Sequence, residues 1–283
     1  MPPRNLEMPS ILAKKQSLAD EKPRKQFVGA ILAAFFLCGS CVYAQDAGDA
    51  FEEMAQQQCN SLWIEPNFWI RDLDVDIVSF CLNAGVDVDV RQNGHTALHW
   101  AAISTDPGVV GLLLQHGANV NARNSAGATP LHRAAALPRH VAGLPTYSSR
   151  QLRDTALSAN RDIVITLLAG GASLDARDDR GATPLHYVSD ANPEPLVALL
   201  LIEAGANVNA RNDNGSTPLY FAMKWNSNPE VGVLLMAAGG DPEAANDYGE
   251  TPREAFDDRN SDFQKRFADR AKELQARMNK GDR

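Results

Sequence analysis

Cys38 and Cys41 stand three apart across Gly39 and Ser40, the spacing of a dithiol redox pair. Such a pair needs an exposed helix start beside a strand to lower a thiol pKa. Here it follows the apolar run Phe27 to Leu37, a setting that gives it no redox chemistry. His95 and His99 stand four apart, which puts two imidazoles on one helix face as in a zinc site. Neither a third ligand nor a glutamate base accompanies them, and His99 recurs as His132 and His186 in matching surroundings, which points to a structural role. Glycine loops that cradle phosphate, serine-nucleophile elbows and metal-ligand sets are missing from the sequence. The Asp and Glu pairs fall in turns. No catalytic constellation is present, so the chain is read as a non-enzyme that needs no cofactor.

The remaining cysteines point to a compartment. Lys14, Lys15, Lys22, Arg24 and Lys25 precede an uncharged stretch from Phe27 to Ala44, which ends in Val42-Tyr43-Ala44. A basic region, an apolar region and a small-residue exit are the layout of a secretory signal, with cleavage after Ala44 favoured over retention as an anchor. Eighteen uncharged residues diluted by Gly39 and Ser40 are marginal for spanning a bilayer. Removal of residues 1–44 would leave only Cys59 and Cys81, an even number where disulfides are permitted. They are expected to pair and staple the less regular 45–66 segment to the helical pattern of Ile77, Val78, Phe80, Cys81 and Leu82; two buried thiols are the alternative.

The elements behind these residues repeat. Asn93-Gly94-His95-Thr96-Ala97-Leu98-His99-Trp100-Ala101-Ala102 returns as Ala126-Gly127-Ala128-Thr129-Pro130-Leu131-His132-Arg133-Ala134-Ala135. It returns again from Arg180 to Tyr187, from Asn214 to Ala222 and, worn down, from Tyr248 to Ala255. The glycines at 94, 127, 181, 215 and 249 are spaced 33, 54, 34 and 34 apart, the long interval being one period plus about 21 inserted residues. Threonine is a helix N-cap, and the proline after it takes the first helical position at no cost in hydrogen bonds. Leu131 with Ala134 and Ala135 makes one narrow apolar face at i, i+3, i+4. A second helical run follows, as in Val109, Val110, Leu113 and Leu114, and closes on Gly117, Gly171 or Gly239. Asn and Asp before the next glycine supply a turn.

This unit resembles the ankyrin repeat, in register from Gly85 to Ala255. The resemblance implies an all-α solenoid of helix pairs with projecting hairpin turns, a histidine that bonds the turn, and a concave protein-binding surface of hairpin tips and first helices. Repeats are expected over 67–258, with an N-terminal cap near Asn67 to Gly85 and an insertion at 137–159 within which Ser149 to Leu157 has helical character. At 259–283, Ser261-Asp262-Phe263-Gln264 reads as a capping box that opens a covering helix with Phe263, Phe267, Leu274 and Met278 on one side. A terminal repeat left uncovered would expose its core.

Binding residues follow from position in the unit. Trp100, Arg133, Tyr187 and Phe221 each lie two residues past the buried leucine, about 200° around the helix, and point away from its core. They form an anchor row for a partner, or they pack onto neighbouring repeats; the sequence leaves both open. Arg123, Arg177 and Arg211 recur in the turn, either as a cationic ladder for acidic groups of a partner or paired with nearby carboxylates such as Asp178 and Asp179. Six of the 27 Lys/Arg and three of the 35 Asp/Glu fall in the first 44 residues, so the remainder carries a net charge of −11. That charge argues against binding nucleic acid, and against a membrane unless the N-terminal segment is retained. The reading is an exported binding protein, periplasmic or envelope-associated, for a protein partner. The alternative is a secreted effector or enzyme inhibitor acting through the inserted loop 137–159.

Overall fold

Each repeat starts where a threonine ends an extended stretch. Thr96, Thr129, Thr183, Thr217 and Thr251 all have extended backbone angles, and the residue after each opens a helix. The computed structural model of the chain describes residues 55–63, 75–104, 106–136, 150–192 and 194–279. The export segment expected at 1–44 and residues 137–149 of the insertion lie outside them, as does the side chain of Met278. Residues Gln56–Arg283 form one unit.

The first helices are short: Ala97–Ala101, Pro130–Ala135, Pro184–Ala191, Pro218–Lys224 and Pro252–Asp257. The second helices are Val75–Asn83, Pro107–Gln115, Arg150–Ala169, Pro195–Glu203, Pro229–Ala237 and Ser261–Asn279. Three of the second helices are started by a side chain that accepts from the amide two residues on, with proline between: Asp106 to Gly108, Glu194 to Leu196 and Asn228 to Glu230. The helix Arg150–Ala169 has Arg161 where those three have Pro107, Pro195 and Pro229. Proline would remove an N–H from the helix interior and clash with the preceding turn, so its absence lets this helix start a dozen residues earlier, inside the insertion. Second helices end as the sequence suggests: Gly117 has φ +85°, and the Ala118 amide bonds back to the Leu113 carbonyl at 3.0 Å.

First helices pack on the first helices of adjacent repeats and second helices on second helices, which gives two layers. Leu98, Leu131, Leu185 and Leu219 are all fully buried between the layers, facing Leu113, Leu167, Leu201 and Leu235 in one continuous apolar cluster. Each such leucine contributes about 1.5–3 kcal/mol over leaving it in water. At one end of the unit, a disulfide joins Cys59 in the helical segment 55–63 to Cys81 in Val75–Asn83. Trp63 is buried there too, and the Gln56 side-chain amide donates to the Gly85 carbonyl.

Buried asparagines close the ends of first helices: Asn160, inside a second helix, serves the first helix of its own repeat, whereas Asn192 and Asn226, each between the two helices of a repeat, reach back one repeat. Asn160 donates to the Ala134 carbonyl at 2.8 Å, Asn192 to Ala135 at 3.0 Å, and Asn226 to Ser189 and Asn192 at 3.0 Å each. The last carbonyls of a helix have no partner within it, and here they are buried, so a side-chain donor is required. Arg259 takes over at the end of the series, donating to Lys224 and Asn226 at 2.9 Å while its guanidinium lies 3.8 Å from the centre of the Phe263 ring.

The covering helix Ser261–Asn279 differs from expectation at its start. The cap is Asn260, whose side chain accepts from the Phe263 amide at 2.8 Å, and Gln264 turns away to donate to the Phe256 and Asp257 carbonyls. Gln264 thus helps close the preceding helix, where the Phe256 carbonyl also accepts from the Arg259 amide at 3.0 Å. Phe263 is buried, and Phe267 packs 4.9 Å from Phe256.

Candidate functional site

The histidines hold the surface in place. The Thr96 amide donates to His99 Nδ1 at 3.2 Å, so the proton is on Nε2, which donates to the Ala128 carbonyl of the next repeat at 3.0 Å. His132 repeats this with Thr129 and Ala182, and His186 with Thr183 and Ser216. Burial pushes His99 and His186 down to about 4 and lowers His132 as well. Each imidazole is therefore a neutral strut between two repeats. Tyr220 stands in the fourth position, where its longer ring passes the backbone and donates to the Glu250 side chain. Glu254, in the fifth, has no later repeat to reach and only accepts from Thr251. Among the described residues no set of three His, Cys, Asp or Glu is placed to hold a metal.

The turns are built the same way. Asn124, Asp178, Asn212 and Asn246 each accept two amides from the turn with one side-chain oxygen. Arg123 bonds Asp179 of the next turn at 3.0 Å and the Arg177 carbonyl; Arg177 reaches Asp213 at 3.4 Å; Arg211 donates to the Ala245 carbonyl. All three arginines thus tie one turn to the next. Gly181 explains the close fit: it has φ +71°, and a Cβ there would run into both Arg177 and Asp213. These bonds engage the three arginines within the stack and leave the Arg123 and Arg177 side chains about half exposed.

Trp100, Arg133, Tyr187 and Phe221 do line one face of the first helices, and each is half-buried. They also pack on neighbours. Tyr187 meets the edge of His132 at 5.2 Å, Phe221 that of His186 at 5.7 Å, and Trp100 lies 4.9 Å from His95. The Arg133 guanidinium lies 5.4 Å over Trp100, with one nitrogen 3.4 Å from His95 Nε2. Its Nε is buried without a hydrogen-bond partner, and burial pulls its pKa below the usual arginine value. Tyr187 donates to Asp178 at 2.8 Å and accepts from Arg180 at 3.3 Å. Burial alone would raise the Asp178 pKa, but Tyr187 and the Arg180 and Ala182 amides together hold it below the usual carboxylate value.

Further along this face, the helices Pro184–Ala191 and Pro218–Lys224 and their turns enclose a cleft of about 670 Å³. Tyr187 and Phe221 line it, together with Trp225 and Tyr248, which sequence reasoning did not single out. Trp225 is 53% exposed and Tyr248 74%. Two signals were available for them. Trp225 is four residues past Phe221 and so falls on the same helix face, and Tyr248 takes the turn-tip place held elsewhere by Asn93, Ala126, Arg180 and Asn214.

The family model for ankyrin repeats, three copies, matches residues 70–143 and 152–252, more than half of the chain. The chain is 30% identical over 156 residues to the ankyrin repeat protein FPV031 of fowlpox virus (strain NVSL), covering 53% of this chain and 39% of that protein. It is 36% identical over 78 residues to ankyrin repeat protein B18 of vaccinia virus (strain Ankara), covering 22% and 14%. The E3 ubiquitin-protein ligase KEG of Arabidopsis thaliana is 31% identical over 118 residues, 41% of this chain and 6% of that protein. The chain covers less than half the length of each of these relatives.

Proposed function

The chain belongs to the ankyrin-repeat family, and on that premise we propose that it is an exported, non-catalytic protein that captures a protein partner on the concave face formed by its first helices and turn tips. The observation that carries this reading is the cleft with Trp225 and Tyr248 at its edge, two large aromatic side chains left in water beside a framework of bonded turns. Aromatic side chains of this kind supply much of the binding energy at protein interfaces. Export is supported by the basic-apolar-small order of residues 14–44 and by the Cys59–Cys81 disulfide, which persists in an oxidising compartment. Among the described residues, no helix is long and apolar enough to cross a membrane.

A photo-crosslinking side chain at position 225, compared in cells with one at the exposed outer-layer position 165, tests the binding face. Adducts from 225 and none from 165 are expected; adducts from 165 alone would overturn the assignment. The mass of the mature protein tests export: a chain starting at Gln45 in an extracytoplasmic fraction is expected, whereas an intact N-terminus in the cytosol would refute it.

A further inference from the structure

We propose that the cleft beside Trp225 takes an arginine- or lysine-bearing segment of the partner, with the cationic side chain between an aromatic face and a carboxylate. The inference rests on the binding face assigned above and adds the chemistry of what is bound there.

Charge is the first argument. Asp179, Asp190, Asp213 and Glu250 line the cleft with Arg180 and Lys224; Asp179 and Asp213 are paired with Arg123 and Arg177 of the preceding turns, which leaves Asp190 and Glu250, with Asp178 3.5 Å from Arg180, against the two bases. Asp258 lies just outside and shares Lys224, which is 3.7 Å from it and 3.9 Å from Glu250. The surplus is negative in a body that is itself acidic, so an acidic segment is repelled and a basic one drawn in.

Aromatic placement is the second. Trp225 lies 5.4 Å from Phe221 and 5.8 Å from Tyr220, whose hydroxyl donates to Glu250. An indole is thereby held on a short aromatic chain that leads to a carboxylate. A cation over an indole face, with an acid within reach, gains from both. The same protein already shows this in its first repeats, where the Arg133 guanidinium lies 5.4 Å over Trp100. Trp100 has that cation from its own chain; no described arginine is stacked on Trp225, and half of it faces water. Size is the third. A space of about 670 Å³ exceeds one side chain and suits a short peptide stretch.

The test uses the full chain and three labelled peptides of equal length, one arginine-rich, one glutamate-rich and one neutral, titrated by fluorescence anisotropy. The arginine-rich peptide is expected to bind about tenfold or more tightly than the other two, with affinity falling as salt rises. Trp225→Ala with Tyr248→Ala should reduce its affinity about tenfold, while Ile165→Ala with Leu196→Ala on the outer layer leaves it unchanged. Equal binding of the three peptides, or an arginine-peptide affinity untouched by the Trp225 and Tyr248 changes, would overturn the proposal. Crosslinks from position 225 separate this from the reading beneath it. Adducts on a partner segment lacking Arg and Lys would end the cation proposal and leave the binding face standing; adducts only from position 165 would end both.

Discussion

Trp100 and Trp225 sit on the same layer of first helices, and they are used in opposite ways. Trp100 is covered: Arg133 of the next repeat lies over its ring, and His95, held by the Asn124 side-chain amide, packs against it. Trp225 is left open above a cleft with carboxylates around it. A repeat position therefore does not define a contact surface by itself. What matters is the residue one repeat on, and how far the first helix runs: Ala97–Ala101 has five residues and ends at the row, whereas Pro218–Lys224 has seven and delivers Trp225 a turn beyond it. The interfaces beneath the two tryptophans differ as well. Histidine joins the repeats from Thr96 to Ser216, and Tyr220 with Glu250 joins the last pair.

The largest expected effect comes from acid, and it should divide the molecule along that line. His99 and His186 titrate at about 4 in the folded chain and near 6.5 when unfolded, and His132 is shifted the same way. Their stabilising contribution is complete above pH 6.5 and is lost as pH falls toward 4, because the unfolded chain takes up protons first and a protonated Nδ1 faces the threonine amide. His99 and His186 each account for up to about 3 kcal/mol. Hydrogen exchange at pH 7 and pH 5 should show the amides of the histidine-joined repeats losing protection ahead of those at the Tyr220–Glu250 interface. Uniform loss would break the comparison.

A smaller effect is expected at the stapled end. Reduction of Cys59–Cys81, which closes a loop of 22 residues, should cost about 3 kcal/mol. Thermal melting with and without reductant would show it, and the loss should concentrate in 55–63 and Val75–Asn83. The smallest effect is the sharpest test of Trp100. Arg133→Met keeps the covering stem and removes a cation that has no described carboxylate beside it. Stability by chemical denaturation should change by less than about 1 kcal/mol, in either direction. A loss of several kcal/mol would mean that the charge itself holds the first repeats together.

Much of the fold was legible because its signals are local. The Thr-Pro-Leu-His run, the glycine spacing and the apolar second-helix pattern specify a unit without knowledge of its neighbours, and Leu98, Leu131, Leu185 and Leu219 share one interior as the pattern implies. The bonds between repeats were less legible, since they depend on the stacking register. Asn192 and Asn226 look like turn residues until the carbonyls one repeat back are in view. Arg123 and Arg177 look like free cations until Asp179 and Asp213 are beside them. The row was half-legible: its direction follows from helix geometry, but its exposure is set by the next repeat, and the open aromatics lay one turn and one tip away. Ser261 and Gln264 have the spacing of a capping box, and the carbonyls of the preceding helix compete for Gln264.

The bonds between repeats run both ways along the chain, and this bears on how the protein is made. His99, His132 and His186 need acceptors that lie 29, 50 and 30 residues downstream. Asn192 and Asn226 supply donors to helices whose residues left the ribosome 57 and 38 positions earlier. A newly emerged repeat is therefore incomplete until its successor follows, and vectorial folding trails synthesis by one unit. Arg259 and Phe263 mark where that lag ends.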